Sequence, residues 1–196
     1  MIPHRVSELH NIMPISNIPL VLKHGILSYE RAAGLPHSDV SMVNVQDKRE
    51  RVQVPGGLKL HQYANLYFDA RNPMMSKRQA QSEFLCILCI SVEVLTIQNV
   101  VISDQNAASD YVRFYPANCL SDLNFDQIYS PDWRHPDDQI VEWRHKSAKC
   151  AEVLVPYAIG FEYVTGAYVV SETTKNDILA AGFAKPVVVK PGLFFR

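Results

Sequence analysis

Residues Asp47 to Lys77 read DKRERVQVPGGLKLHQYANLYFDARNPMMSK. Arg49 and Arg51 alternate at its start, and the chain then turns through Pro55, Gly56 and Gly57. His61-Gln62-Tyr63 and a strand-like Leu66-Tyr67-Phe68 follow, and the stretch closes on Arg71-Asn72-Pro73-Met74-Met75. Charged and aromatic groups crowd around two glycines and two prolines. A loop of this kind must satisfy its backbone without a ladder, and such loops often carry function. On spacing alone, a surface hairpin with a solvated basic start explains the stretch as well as a binding loop does.

The rest of the chain sets the frame. Its 196 residues are 47% hydrophobic and 20% charged, as expected of one globular domain spanning residues 1–196 with a single core. No run of ~18 apolar residues marks a membrane span, and Met1 to His10 lacks the apolar core of a secretory signal. The expected location is therefore the cytoplasm. A formal net charge of −1 does not advertise a nonspecific nucleic-acid binder, although Lys48, Arg49, Arg51, Lys59, Arg71, Lys77 and Arg78 fall close together. Cys86 and Cys89 form a C-x-x-C, but inside the apolar run FLCILCIS. Residues three apart on a strand face opposite ways, so core cysteines are expected rather than a metal pair.

Strands are expected at Leu9–Ile12, Ile26–Leu27, Ala64–Asp69, Glu83–Leu95, Val100–Ser103, Ala151–Pro156, Phe161–Val164, Tyr168–Val170 and Val187–Lys190. Helices are expected over Pro14–Gly25, with Ser16 as cap, over Pro73–Gln81, and over Glu172–Ala181, closed by Gly182. Tyr29–Asp47 and Ser121–Lys149 read as long irregular segments. Strands predominate without βαβ alternation, which argues an α+β fold.

Neither common phosphate cradle is present, nor a G-x-S-x-G or an H-E-x-x-H. What remains is an early histidine, a central arginine pair and a late glutamate that enters a strand. Taken singly, His10 reads as a satisfied core histidine and Glu152 as an exposed carboxylate.

Leu9-His10-Asn11-Ile12, followed by Asn17-Ile18-Pro19 and Gly25-Ile26-Leu27, resembles the opening of the DarT family. Arg49-x-Arg51-x-x-Val54-Pro55, Leu60-His61-x-Tyr63 and Tyr67-Phe68-x-x-Arg71-Asn72-Pro73-Met74 resemble that family's central block. Glu152-Val-Leu-Val155 resembles its catalytic glutamate strand. Asn11-Ile12-Met13-Pro14 departs from the threonine-histidine pattern of thymine-modifying members, which shifts the expected base toward guanine.

The resemblance implies an ADP-ribosyltransferase-type split β-sheet with flanking helices and long active-site loops. It implies a toxin that transfers ADP-ribose from NAD, without a metal, to a base in single-stranded DNA. The implied partner is an antitoxin hydrolase of macrodomain or NADAR type. A monomer is expected, with no membrane association. Glu152 would be catalytic, together with Arg51 or, failing that, Arg49. His10, Asn11, Asn17, Arg51, Tyr67 and Phe68 would hold NAD. Arg71, Arg78, Arg113, Trp133, Arg134, His135, Trp143 and Arg144 would meet DNA. The chemistry suits these residue types. Breaking a ribosyl bond passes through an oxocarbenium-like centre that needs a carboxylate, and guanidinium groups grip phosphate. A protein-directed ADP-ribosyltransferase, an NAD glycohydrolase and a noncatalytic nucleic-acid-binding module are the alternatives.

Overall fold

The computed structural model describes residues 5–38 and 43–196. In chain order the strands are β1 (Leu9–Pro14), β2 (Ile26–Leu27), β3 (Tyr63–Tyr67), β4 (Leu85–Ile90), β5 (Val101–Ser103), β6 (Phe114–Pro116), β7 (Glu152–Pro156), β8 (Ala158–Ile159), β9 (Val164–Val169) and β10 (Val187–Val189). The helices are α1 (Ile18–His24), α2 (Tyr29–Ala32), α3 (Val43–Arg51), α4 (Pro73–Lys77), α5 (Phe125–Ile128), α6 (Gln139–Ala148) and α7 (Glu172–Ala180).

One mixed sheet runs β10-β9-β4-β1-β3-β7-β5-β6, while β2 and β8 pair separately. Its interior strand β4, LCILCI, is buried at every position, which explains an apolar run without alternation. The sheet is split in the middle. Strand β1 pairs with β4 along its full length, from Leu9↔Ile90 to Pro14↔Leu85, and β3 pairs with β7 from Tyr63↔Pro156 to Tyr67↔Glu152. Between β1 and β3 only His10↔Tyr67 is in register, so the two halves diverge from that point.

One face of the sheet carries the main core, including Leu9, Met13, Leu66, Phe68, Leu88 and Val153. The other face carries two smaller clusters. Ile12, Met75, Ile87 and Phe194 form one on the β1–β4 half. Val54, Leu60, Tyr63 and Leu154 form the other on the β3–β7 half. The divergence of β1 from β3 thus parts the second face and leaves a cleft between its clusters.

Several boundaries differ from the sequence expectation. The apolar run of 83–95 is a strand only from Leu85 to Ile90, because 3-10 turns occupy Gln79–Phe84 and Val92–Thr96. Ser91 starts the second turn by accepting the Glu93 N–H at 3.2 Å. The first helix begins at Ile18, after a 3-10 turn, and Ser16 does not cap it. Gly25 ends it with φ 73°, where a side chain would also strike the Ile159 carbonyl. Phe161–Tyr163 is a 3-10 turn, and Val164–Val169 is one continuous strand rather than the ends of two.

Both segments expected to be irregular contain helices. Tyr29–Asp47 holds α2, capped by Ser28, and the start of α3; residues 39–42 lie outside the described residues. Ser121–Lys149 holds α5 and α6. Asp138 caps α6 by accepting the Ile140 and Val141 N–H groups, each at 3.0 Å. No helix among the described residues is long and apolar enough to cross a membrane.

Candidate active site

The cleft between the sheet halves encloses about 670 Å³, within the ordinary range for a small-molecule site. Its walls come from Asn11 and Pro14 of β1, Asn65 and Tyr67 of β3, Arg49 of α3, the loop at Asn106–Ser109, and Trp143 and Lys146 of α6. The Asn11 side chain spans the split, donating from Nδ2 to the Asn65 carbonyl at 3.0 Å.

At the floor lies a buried ion pair. Arg49 Nη1 donates to both Glu152 carboxylate oxygens, at 3.0 and 3.1 Å. Glu152 is 1% exposed and Arg49 8%. The Ala107 N–H donates to Glu152 Oε1 at 2.9 Å, and the Glu152 N–H donates to Ser103 Oγ at 3.1 Å. Asn106 sets that loop, accepting the Ala108 N–H on its side chain at 2.8 Å while its own N–H reaches the Ser147 carbonyl at 3.0 Å. A buried carboxylate that accepts from a guanidinium and a backbone N–H is fixed in direction. Glu152 itself lies just behind the cleft wall. Tyr67, Arg49, Asn106 and Cys150 are the lining residues around it.

The electrostatics centre on this pair. Burial alone would lower the Arg49 pKa, but the adjacent Glu152 carboxylate outweighs it and the net shift is upward. Tyr67 faces Glu152 in the β3–β7 register. Its hydroxyl is driven above its usual range by burial and then by the Glu152 charge, so it stays a neutral hydrogen-bonding group. His61 is lowered by burial and then by the Arg49 charge. Its ring sits 4.4 Å from that of Tyr29, and its Nε2 is 3.0 Å from Gln46 Oε1.

Of the expected NAD residues, Asn11, Asn17 and Tyr67 line the cleft. Asn17 clamps the loop that follows α2, donating to the Ser38 carbonyl at 2.7 Å and accepting the Ser38 N–H at 2.9 Å. His10 does not line the cleft. It is buried on the sheet face of its register partner Tyr67, held away from the cleft with Nδ1 3.3 Å from the Phe68 carbonyl and Nε2 3.2 Å from Glu8 Oε1. Phe68 is also outside the cleft. It is fully buried in the main core, edge-on to Phe125 at 5.6 Å. The arginine order is reversed as well: Arg51 is exposed at the end of α3, and Arg49 is the one turned inward onto Glu152.

The expected DNA residues separate in the same way. Trp143, 60% exposed, and Arg78 line the cleft, and Arg144 is exposed beside Trp143 on α6. Trp133 instead packs edge-on against Phe195 at 5.8 Å. Arg71 ties loops together, donating to the carbonyls of Pro131 at 2.6 Å and Gly192 at 3.1 Å with Phe195 4.2 Å beneath it. Arg134 is paired with Asp132. His135 Nε2 meets His145 Nδ1 at 2.9 Å. Arg113 is exposed, outside the cleft lining, with its backbone N–H on Asp104 Oδ1 at 3.0 Å.

Sequence reasoning missed Asn65, Lys146, Asn106 and the Ala107 N–H. Lys146 follows Trp143 by three residues, so the spacing was available once α6 was known to be a helix. The Ala107 donor is backbone and leaves no signature in residue identity. Among the described residues, no group of three or more His, Cys, Asp or Glu is placed to hold a metal ion.

A mixed sheet split between two central strands and flanked by helices is the arrangement of an ADP-ribosyltransferase-type fold. A sequence model for the family described as "DarT: ssDNA thymidine ADP-ribosyltransferase, DarT" matches residues 10–195. The chain belongs to the DarT family.

A DNA ADP-ribosyl transferase–DNA ADP-ribosyl glycohydrolase fusion protein of Thermosipho africanus is 28% identical over 97% of this chain and 50% of the fusion. The chain thus spans about half the length of that relative. A DNA ADP-ribosyl transferase of Thermus sp. is 25% identical over 97% of this chain and 94% of the relative. Among solved structures, Thermosipho africanus DarTG in complex with ADP-ribose superposes with TM-score 0.82 at 28% identity, covering 96% of this chain and 51% of that one. Thermus sp. DarT in complex with ADP-ribosylated ssDNA superposes with TM-score 0.83 at 20% identity, covering 96% of each chain. The same fold is shared with Thermus sp. DarT in complex with NAD+, at TM-score 0.79 and 20% identity over 98% of this chain and 99% of that one.

Proposed function

We propose that this chain transfers ADP-ribose from NAD to a base of single-stranded DNA. The observation that carries the proposal is the Arg49–Glu152 pair at the base of the split, beneath a cleft large enough for a dinucleotide. The supporting relatives are named as DNA ADP-ribosyl transferases, and one solved structure holds NAD+.

In the reaction, the bond between nicotinamide and ribose C1′ breaks, and nicotinamide leaves with the bonding electrons as a neutral molecule. A base nitrogen bonds to C1′ and gives up its proton. Glu152 is the acceptor for that proton and the anion that faces the developing ribosyl cation. A positioned general base is worth ~10²–10⁴ in rate. Arg49 steadies Glu152 and presents positive charge toward the cleft, where the phosphates of NAD belong. Tyr67 and Asn11 bound the space on either side of the split. An isolated nitrogen of a stacked base cannot reach such a floor, which accounts for single-stranded substrate. Trp143, with Arg144 and Lys146 nearby on α6, is the stacking platform at the mouth; one base–aromatic stack is worth ~1–3 kcal/mol.

The finer reading is guanine as acceptor, a toxin role, a monomeric protein, and an antitoxin hydrolase of macrodomain or NADAR type that removes the modification. Asn11-Ile12-Met13-Pro14, where the sequence departs from thymine-modifying members, all line the cleft. A transferase fused to a DNA ADP-ribosyl glycohydrolase supports the antitoxin pairing. The test is incubation with NAD and oligonucleotides that differ only in carrying guanine or thymine, followed by mass spectrometry. Guanine adducts that vanish in Glu152→Gln are expected. Adducts on thymine alone would overturn the base assignment, and free ADP-ribose or labelled protein with clean oligonucleotide would overturn DNA as substrate.

A further inference from the structure

A second cavity, of about 570 Å³, lies beside the main cleft. Pro14, Ser38 and Arg78 line both, so the two share a wall. Phe84 stands in the second cavity at 73% exposure, and among the described residues only Tyr111 is a more exposed large apolar side chain. It ends the Gln79–Phe84 turn and immediately precedes the fully buried β4. Scattered apolar side chains on a surface need no explanation. A phenyl ring held out at the rim of a concavity that communicates with the active cleft is a different case.

The other groups around Phe84 give the cavity a definite chemistry. Arg78 stands on the shared wall, its Nη1 donating to Gln81 Oε1 at 3.4 Å, and the acidic residues Glu83 and Asp177 also line the cavity. Glu83 is held in place through Oε2, to which the hydroxyls of Ser171 and Thr174 donate at 2.8 and 2.6 Å. An aromatic face is a sequence-tolerant platform for any base. Carboxylate oxygens accept from exocyclic amino groups and repel phosphate, so a nucleotide here would turn its phosphate toward Arg78 and the cleft.

We propose that the second cavity is a subsite for the nucleotide next to the modified one, its base stacked on Phe84 and its linking phosphate toward Arg78. It favours a base with an exocyclic amino group over thymine. This rests on the single-stranded DNA reading above and adds a determinant of sequence context to it.

The test uses the intact protein, saturating NAD, and single-stranded oligonucleotides with one acceptor base. The nucleotide on either side is varied among cytosine, thymine and an abasic residue. On one side, kcat/KM should rise about tenfold from abasic to cytosine, the size of one stacking contact, with thymine between. Phe84→Ala should abolish that preference and lower kcat/KM for the cytosine oligonucleotide about tenfold. KM for NAD should not move, and Phe84→Trp should restore the preference. Normal transfer by the wild type with an indifferent Phe84→Ala overturns the subsite alone. A raised KM for NAD in Phe84→Ala also overturns it, assigning the cavity to the dinucleotide. A wild type that modifies no oligonucleotide defeats the DNA reading itself.

Discussion

Replacing Arg49 by alanine should separate the two arginines decisively. In the structure the Arg49 guanidinium is turned onto Glu152, a carboxylate at 1% exposure that also accepts the backbone N–H of Ala107. Breaking a buried pair by removing one partner typically costs ~3–5 kcal/mol, because the other charge is left uncompensated. Losing the cation that steadies Glu152 and faces the NAD phosphates should also lower kcat/KM by ~10²–10³, since every ~1.4 kcal/mol is tenfold in rate. Arg51 is exposed, and Arg51→Ala should change stability by no more than ~0.5 kcal/mol and turnover by about twofold. Adding Glu152→Ala to Arg49→Ala removes the stranded charge. The double variant should therefore unfold at higher urea than Arg49→Ala alone while remaining inactive. Nicotinamide release and urea unfolding give the two readouts. Near-normal release by Arg49→Ala together with a hundredfold loss in Arg51→Ala would refute the assignment.

Three further outcomes follow from the same geometry. Oligonucleotide binding should quench the fluorescence of Trp143, at the cleft mouth, and not that of Trp133, which packs on Phe195; quenching should thus disappear in Trp143→Phe and survive in Trp133→Phe. Glu8 is held at a pKa of about 2, first by its hydrogen bond with His10. A depressed carboxyl pKa stabilises the fold above the unfolded value near 4.5 and loses that stabilisation as pH falls toward about 2. Acid unfolding of Glu8→Gln should accordingly be shallower across that window, and an unchanged profile would count against the contact. Cys86, Cys89 and Cys150 are buried thiols pushed up to about 12, chiefly by burial. A thiol reagent should label Cys119 fast in the native protein, with the other three reacting only on denaturation.

The sequence was most legible where residue type and burial coincide. β4 shows itself as an unbroken apolar run, and β7 as AEVLVP, with Glu152 at the head of the strand. The arginine pair was found, but its order was not, because α3 carries little apolar periodicity and the inward turn of Arg49 depends on a partner 103 residues away. His10 shares the sheet face of Tyr67, and what keeps it from the cleft, its contacts with Glu8 and the Phe68 carbonyl, leaves no mark in the spacing. Phe68 shows the same limit, since an aromatic beside Tyr67 looks like a pocket wall until β3 assigns it to the opposite face. Helix α6 was hidden by Pro131, Pro136 and a mixed run of Trp, Arg and His. Its cap at Asp138 and its buried His145 and Ala148 become evident only in three dimensions. The Ala107 N–H belongs to no side chain, and only the fold could disclose it.

The most direct measurement is mass spectrometry of a single-stranded, guanine-containing oligonucleotide after incubation with NAD and the wild-type protein or Glu152→Gln. The account predicts one ADP-ribose added per modified oligonucleotide, one nicotinamide released for each, and neither product from the folded Glu152→Gln protein. An oligonucleotide that returns unmodified while nicotinamide accumulates, or one modified equally well by Glu152→Gln, would contradict it.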